Sequence, residues 1–327
     1  MKTKKRRART GAAIVLTLIL ALLVAACGDD DDDTANGGDG AAPTIVSNAD
    51  NEKVNLTIGS KNFTEQIILG EIYAQALEAA GYSVKKDLNL GSETVARESV
   101  KTGQISGYPE YASTALTSFF GVEPEDVPSD ADEAFETAKE DFEGEGLTAF
   151  PPTPFASANA VGALRETAER LELETVSDLD GQSEDLSLYG SPECRQRIDC
   201  LAGLEQLYGL EFGSFRPVDI GLRYQVLDKG QADLSILFTT DAQLAAEKDK
   251  YVILEDDQEV FPAGNVIFVT TPEVVEEAGP DYEKTITDVQ SGLTLPVMQE
   301  LDARVDIDKE APEEVAASYL RSAGYTG

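Results

Sequence analysis

Histidine is absent from all 327 residues. Without it, Ser-His and Cys-His nucleophile systems cannot be assembled, and the commonest metal-ligating side chain is missing. Cysteine is nearly as scarce, with Cys27, Cys194 and Cys200 the complete set and no CxxC spacing among them. A redox centre is therefore the weaker reading of these cysteines, and a metal site is weaker still. Basic residues are few: 26 Lys and Arg stand against 61 Asp and Glu, for a formal net charge of −35. A field of that sign repels phosphate backbones and anionic lipid, which excludes nucleic acid and favours small cations or zwitterions with an exposed positive end. The bland reading of the same acidity is solubility in high salt, where screening over a few ångströms mutes self-repulsion, and it takes precedence over a ligand-specific role. No phosphate-binding GxxxxGK loop is present, and no spacing singles out a carboxylate pair for hydrolysis. Neither an enzyme nor a cofactor or metal is expected.

Long apolar runs are missing after the first 26 residues, and the one before that point is informative. Lys2, Lys4, Lys5, Arg6, Arg7 and Arg9 lead into an uncharged apolar stretch over 12–26, which ends in small residues before Cys27. That is the layout of an export signal, and the stretch is shorter than the ~20 residues needed to cross a bilayer. The run Leu23-Val24-Ala25-Ala26-Cys27 resembles a lipobox, which implies that residues 1–26 are removed and that Cys27 carries a lipid anchor, the chain's only hold on the membrane.

Residues 27–53 are Gly, Asp, Ala and Asn in the main, with five consecutive aspartates from Asp29 to Asp33. Such a segment buries too little apolar area to fold and reads as a disordered acidic tether. A calcium site on the aspartate run has no EF-hand spacing to support it. In an exported chain Cys194 and Cys200, six residues apart, read as an oxidised pair that staples a surface loop.

From residue 54 onward short β-branched runs alternate with amphipathic helical stretches, the pattern of an α/β protein of one large or two medium domains. Residues 54–59 predict a strand. Residues 64–80 predict a helix, with Gly81 just past its end. Strand-then-helix units are expected again at 83–102, 159–173, 186–207 and 220–230, with a further strand at 265–270.

Two stretches carry the chemistry. Residues 59–66, Gly-Ser-Lys-Asn-Phe-Thr-Glu-Gln, end a strand and open a helix, so that Lys61 and the free amides of the helix start would face an anionic group. An ordinary cap, with Asn62 or Thr64 as the N-cap and Glu65 in the first turn, accounts for the same residues. The second stretch, Tyr108-Pro109-Glu110-Tyr111 with Ser113-Thr114-Ala115-Leu116 close behind, reads as tyrosines and hydroxyls around a proline turn. Tyrosine faces attract quaternary ammonium groups, and core packing is the competing role for either ring.

Together these stretches resemble the substrate-binding proteins of glycine betaine, choline and carnitine importers, in which SKNFTEQ, a leucine-glycine turn and YPEY occur in order. Here the matching residues are 60–66, Leu88-Asn89-Leu90-Gly91 and 108–116. The likeness continues through Ser177-Asp178-Leu179, residues 190–204 with both cysteines, Gly221-Leu222-Arg223-Tyr224, Thr239-Thr240-Asp241 and Leu254-Glu255-Asp256-Asp257. It implies a two-lobed type II periplasmic-binding-protein fold, each lobe a mixed sheet flanked by helices, with ligand in the cleft between them. The lobe boundaries it implies are 54–158 with 263–327, and 159–262.

The resemblance also places an aromatic cage at four positions, and only Tyr111 and Phe238 are aromatic there; Asn159 and Gly264 occupy the other two. It implies polar anchoring by Lys61, Asn62 and Thr114, by Arg197 in the cysteine-flanked loop, and by Thr239 and Asp241, of which Asp241 fits a helix cap or cleft brace better than a direct ligand. The expected partners are a small zwitterionic or cationic solute, an ABC permease and, through it, an ATPase, with the binding protein itself a monomer outside the cytoplasm. A surface sensory module of the same fold is the alternative that such a sequence leaves open.

Overall fold

The structure, a computed structural model, describes residues 44–327. The basic and apolar leader, Cys27 and the aspartate run lie outside the described residues. Residues 44–53, assigned above to the tether, are folded onto the body. The Ile45 amide donates to the Tyr325 carbonyl at 2.8 Å and the Asn48 amide to the Ala80 carbonyl at 3.0 Å. The Asn48 side chain donates to Asp281 at 2.8 Å, and the Asn51 side chain to the Ala80 carbonyl at 2.9 Å. Two asparagines, one bonded to a buried backbone carbonyl and the other to a surface carboxylate, thus end the spacer sooner than composition suggests.

The strands are β1 (Asn55–Gly59), β2 (Ser83–Asp87), β3 (Gly107–Tyr111), β4 (Thr148–Phe150), β5 (Ala156–Ser157), β6 (Asn159–Leu164), β7 (Ser187–Gly190), β8 (Ser214–Pro217), β9 (Leu234–Phe238), β10 (Tyr251–Ile253) and β11 (Gly264–Thr270). They form two mixed sheets. The first runs β2-β1-β3-β11-β4 with β5 added to β11, and the second runs β10-β6-β9-β7-β8. The chain leaves the first sheet at Ser157, enters the second at Asn159, and returns on β11.

Helices flank both sheets: α1 (Thr64–Ala79), α2 (Glu93–Lys101), α3 (Ala112–Thr114), α4 (Ala131–Glu143), α5 (Arg165–Leu171), α6 (Leu201–Leu207), α7 (Arg223–Asp228), α8 (Ala242–Ala246), α9 (Pro272–Ala278), α10 (Pro280–Ser291), α11 (Leu295–Asp306) and α12 (Pro312–Ser322). The period-two geometry of a strand divides the residues of β11 between two cores. Val266 and Phe268 join α1, α10, α11 and α12 on one face. Ile267 and Val269 join α2, α3 and α4 on the other. With both faces covered, β11 reads as a near-continuous apolar run rather than an alternating one. Among the described residues no helix is long and apolar enough to cross a membrane.

Three local expectations are corrected. Tyr108-Pro109-Glu110-Tyr111 is not a turn but the fully buried strand β3. Its ladder to β1 is registered only at Gly107, so the absent N–H of Pro109 sits where pairing on that side has ended. Residues 220–230 hold a 3₁₀ turn followed by α7, with no strand. The N-cap of α1 is neither Asn62 nor Thr64 but Phe63, in extended conformation and without a side-chain cap. Thr64 Oγ1 instead donates to Asp306 at 2.6 Å, and the Asn62 amide donates to the Gly91 carbonyl at 3.1 Å.

Candidate functional site

A cavity of about 80 Å³ opens where the ends of the two sheets face each other. From the first sheet it is lined by Lys61, Asn62 and Phe63 after β1, by Ser92 and Glu93 at the start of α2, and by Tyr111, Ser113 and Thr114. Ser157, Ala158 and Asn159 line it at the crossing. The second sheet supplies Arg197, Asp199, Arg223 and Phe238. Of the residues singled out from sequence, Lys61, Asn62, Tyr111, Thr114, Asn159, Arg197 and Phe238 are brought together there.

Thr239 and Asp241 do not line the cavity. Thr239 Oγ1 accepts from the Ala158 amide at 3.0 Å and secures the crossing strand. Asp241 is buried and its carboxylate is fully engaged, accepting from Arg223 at 2.8 Å, from the Tyr224 hydroxyl at 3.0 Å and from the Phe238 amide at 2.9 Å. It braces the wall from behind.

The aromatic wall holds a ring that the sequence reading missed. Phe63 stacks on Tyr111 with centroids 6.3 Å apart and planes at 13°, and meets Phe238 at 5.1 Å. Its only sequence cue was its place inside SKNFTEQ, one residue before a helix. Extended φ and ψ at that residue turn the ring away from α1 and into the cleft. Tyr111, Phe63 and Phe238 therefore form one continuous face. The two cage positions that lost their rings behave differently from each other. Asn159 donates its side-chain amide to the Asp199 carbonyl at 2.9 Å and so ties the crossing to the cysteine loop. Gly264 lies directly against Ser113, where a Cβ would fall 2.7 Å from the Ser113 backbone nitrogen and closer still to its hydroxyl. No side chain fits at that position without moving the backbone of α3.

Every cation of the pocket has a partner. Lys61 pairs with Glu110, whose side chain is 0% exposed, and its Nζ stands 4.6 Å from the centroid of the Tyr111 ring. The sequence reading aims this ammonium at a ligand anion; in the folded chain its charge is neutralised by a buried carboxylate, because Glu110 would otherwise be buried alone. Glu110 also accepts from the Tyr108 hydroxyl at 3.1 Å and the Tyr111 amide at 2.8 Å. Arg223, also missed, stands with its Cζ 3.9 Å from the Phe238 centroid.

Arg197 sits between the bonded Cys194 and Cys200. It grips Asp199 through Nε at 2.7 Å and a second nitrogen, and reaches across the cleft to Thr114 Oγ1 at 3.4 Å and Glu93 at 3.9 Å. Burial is the largest influence and works against its charge, but Asp199, Glu93 and Glu110 together outweigh it and hold the guanidinium above its ordinary pKa. The Tyr111 hydroxyl points away from the cavity and donates to Glu65. Burial, reinforced by the Glu65 carboxylate, pushes that phenol well up, so the ring stays neutral. An electron-rich wall faced by a fixed guanidinium and a hydroxyl suits a solute with a cationic head and an anionic tail.

A family model described as the substrate binding domain of ABC-type glycine betaine transport system matches residues 54–322. The glycine-betaine-binding protein of Pseudomonas aeruginosa is 35% identical over 278 residues, which is 81% of this chain and 87% of that protein. The ergothioneine transport permease/ergothioneine binding protein EgtU of Helicobacter pylori is 29% identical and aligns with 86% of this chain but 49% of that protein. Among solved structures, one described as a glycine betaine/carnitine/choline ABC transporter superposes with a TM-score of 0.63 at 28% identity, covering 83% of this chain and 99% of that one.

Proposed function

The chain belongs to the substrate-binding family of ABC-type glycine betaine transport systems, and on that premise we propose that its ligand is a small zwitterion of the betaine type, held in the cleft and handed to the permease without turnover. Members of this family act outside the cytoplasm and work with a permease. The observation that carries the ligand reading is the continuous Tyr111–Phe63–Phe238 face with Arg197 and Thr114 beside it. The ammonium head lies against the rings, where each desolvated face contributes ~0.5–2 kcal/mol. The carboxylate lies towards Arg197 and Thr114, which favours a betaine over choline, a cation with no carboxylate to offer the guanidinium. Phe63 adds a third ring to the wall, beside Tyr111 and Phe238.

The lobes are taken as 54–158 with 263–327, and 159–262, closing about the crossings at Ser157–Asn159 and before β11. Closure is driven by the greater affinity of ligand for the closed form. The Arg197–Thr114 and Arg197–Glu93 contacts join the two sides and support that reading. The first 26 residues are read as an export signal and Cys27 as the lipid-bearing residue, with a monomeric binding domain held off the membrane by the acidic spacer.

Calorimetry on the purified protein with glycine betaine, choline, carnitine and ergothioneine, the solutes named for its relatives, tests the assignment. A betaine-type ligand at 100 times its dissociation constant adds ~2.7 kcal/mol of stability and a matching rise in melting temperature. Binding of choline alone, or no stabilisation by any of the four, would discard the zwitterion.

A further inference from the structure

Behind the Tyr111 ring the start of α1 meets α11. Glu65 and Asp302 are each 4% exposed, and their carboxyl groups are neighbours where the two helices pack. Glu65 Oε1 accepts from the Tyr111 hydroxyl. Glu65 Oε2 and Asp302 Oδ1 are both buried and find no donor in the protein. Two carboxylates in contact inside a protein cannot both stay ionised, since each would carry an uncompensated buried charge beside a like one. A single proton between them supplies the donor that both orphaned oxygens lack.

We propose that Glu65 and Asp302 hold one proton between them and that this carboxyl pair is the positioning element that sets the Tyr111 ring in the binding pocket. The inference deepens the ligand reading above, since Tyr111 is part of the proposed aromatic wall. Neither acid touches the cavity; both act through Tyr111. Burial raises Glu65 and raises Asp302 well above the ordinary carboxyl range; Glu65 adds to the rise at Asp302, whereas the contact with Asp302 acts to lower Glu65.

The surrounding charge favours the proton. Tyr111 faces the pair from β3 and Tyr73 faces Glu65 from α1, while Gln66 lies against Tyr111; the Tyr73 hydroxyl and Gln66 Nε2 are buried and bond to neither acid. Asp241 faces it from the second sheet and Asp306 from α11, both adding negative charge. The basic groups on this part of the pocket are already held, Arg223 by Asp241 and Lys61, beside the Tyr111 ring, by Glu110. Thr240, in the loop before α8, lies near Glu65, and its hydroxyl is paired with Ser157 at 3.0 Å. A carboxyl that both accepts from Tyr111 and is itself fixed by a proton bridge has one orientation. An ionised Glu65, freed of Asp302, would seek water or a cation and turn the phenol with it.

Infrared spectroscopy and tyrosine ζ-carbon resonances of the purified protein test this at about pH 7, far above the ordinary carboxyl range. The expected result is a protonated carboxyl band in the wild type that is lost in both Glu65→Gln and Asp302→Asn. The Tyr111 resonance, assigned with Tyr111→Phe, should hold in Asp302→Asn, whose amide donates in place of the proton, and shift in Asp302→Ala. Glycine betaine, as the probe, should bind Asp302→Ala about tenfold more weakly, ~1.4 kcal/mol, and Asp302→Asn with near wild-type affinity.

A wild type without the band overturns the proposal, as does a band that survives both variants or a Tyr111 resonance indifferent to Asp302→Ala. Loss of the band on adding sodium would show a cation in the proton's place and overturn it equally. If glycine betaine does not bind the wild type, the ligand reading fails while the spectra still decide this one.

Discussion

Lys61 and Tyr111 stand as cation and ring, Nζ 4.6 Å from the centroid, with the charge of Lys61 already neutralised by Glu110 on the same strand as the tyrosine. The most obvious basic residue of the pocket is therefore part of its framework. Lys61→Ala leaves Glu110 buried without a counter-charge, a loss expected to cost ~3–5 kcal/mol of folding stability. Chemical denaturation checks it, and the paired change Lys61→Met with Glu110→Gln should recover most of the loss, because no lone charge remains.

Phe63 is half-buried and its ring joins Tyr111 to Phe238. Phe63→Ala is expected to weaken betaine binding by ~0.5–2 kcal/mol, the contribution of one cation–π face. Titration calorimetry at constant salt reads the loss directly.

Gly264 leaves no room for a side chain beside Ser113. Gly264→Ala should destabilise the fold by ~1–3 kcal/mol, the usual cost of overpacking. The aromatic face absent here cannot be restored by Gly264→Tyr, and a melting curve of either variant shows the same direction.

The Glu65–Asp302 pair makes stability depend on pH with a definite sign. Both groups are raised in the folded state, so the folded chain binds more protons than the unfolded one above the ordinary carboxyl range. Their contribution is complete below the unfolded values, near pH 4, and is lost as pH rises. One retained proton gives a slope of up to ~1.4 kcal/mol per pH unit. Between about pH 5 and pH 8 the wild type should therefore lose stability relative to Asp302→Asn, as read by denaturant midpoints of both proteins at each pH.

The Cys194–Cys200 bond closes a short loop that carries Arg197 and Asp199, and both sulfurs belong to residues that are 2% exposed. Reducing it should cost about 2 kcal/mol by the chain-entropy estimate for so small a loop. Binding should weaken with it, because Arg197 then loses its fixed place across from Thr114. Melting temperature and betaine affinity with and without reductant measure the two effects.

The start of α1 was legible in outline and misread in detail. Its apolar spacing and Gly81, at φ 102°, mark a helix and its end from a few neighbouring residues. Which residue caps it was not, since Thr64 finds Asp306 across a separation of 242 residues. The same limit governed β3: proline suggests a turn locally, and only the end of the β1 ladder at Gly107 makes room for it in a strand.

Sequence alone determined the alternation of strands and helices and the ordered motifs that assign the family, because each is written in residues close together along the chain. Tertiary structure decided which of the motif residues meet the cavity and with what charge. Lys61 and Glu110 lie 49 residues apart, and Glu65 and Tyr111 lie 46 apart. A buried charge takes the partner that folding brings beside it, and no local pattern records that choice.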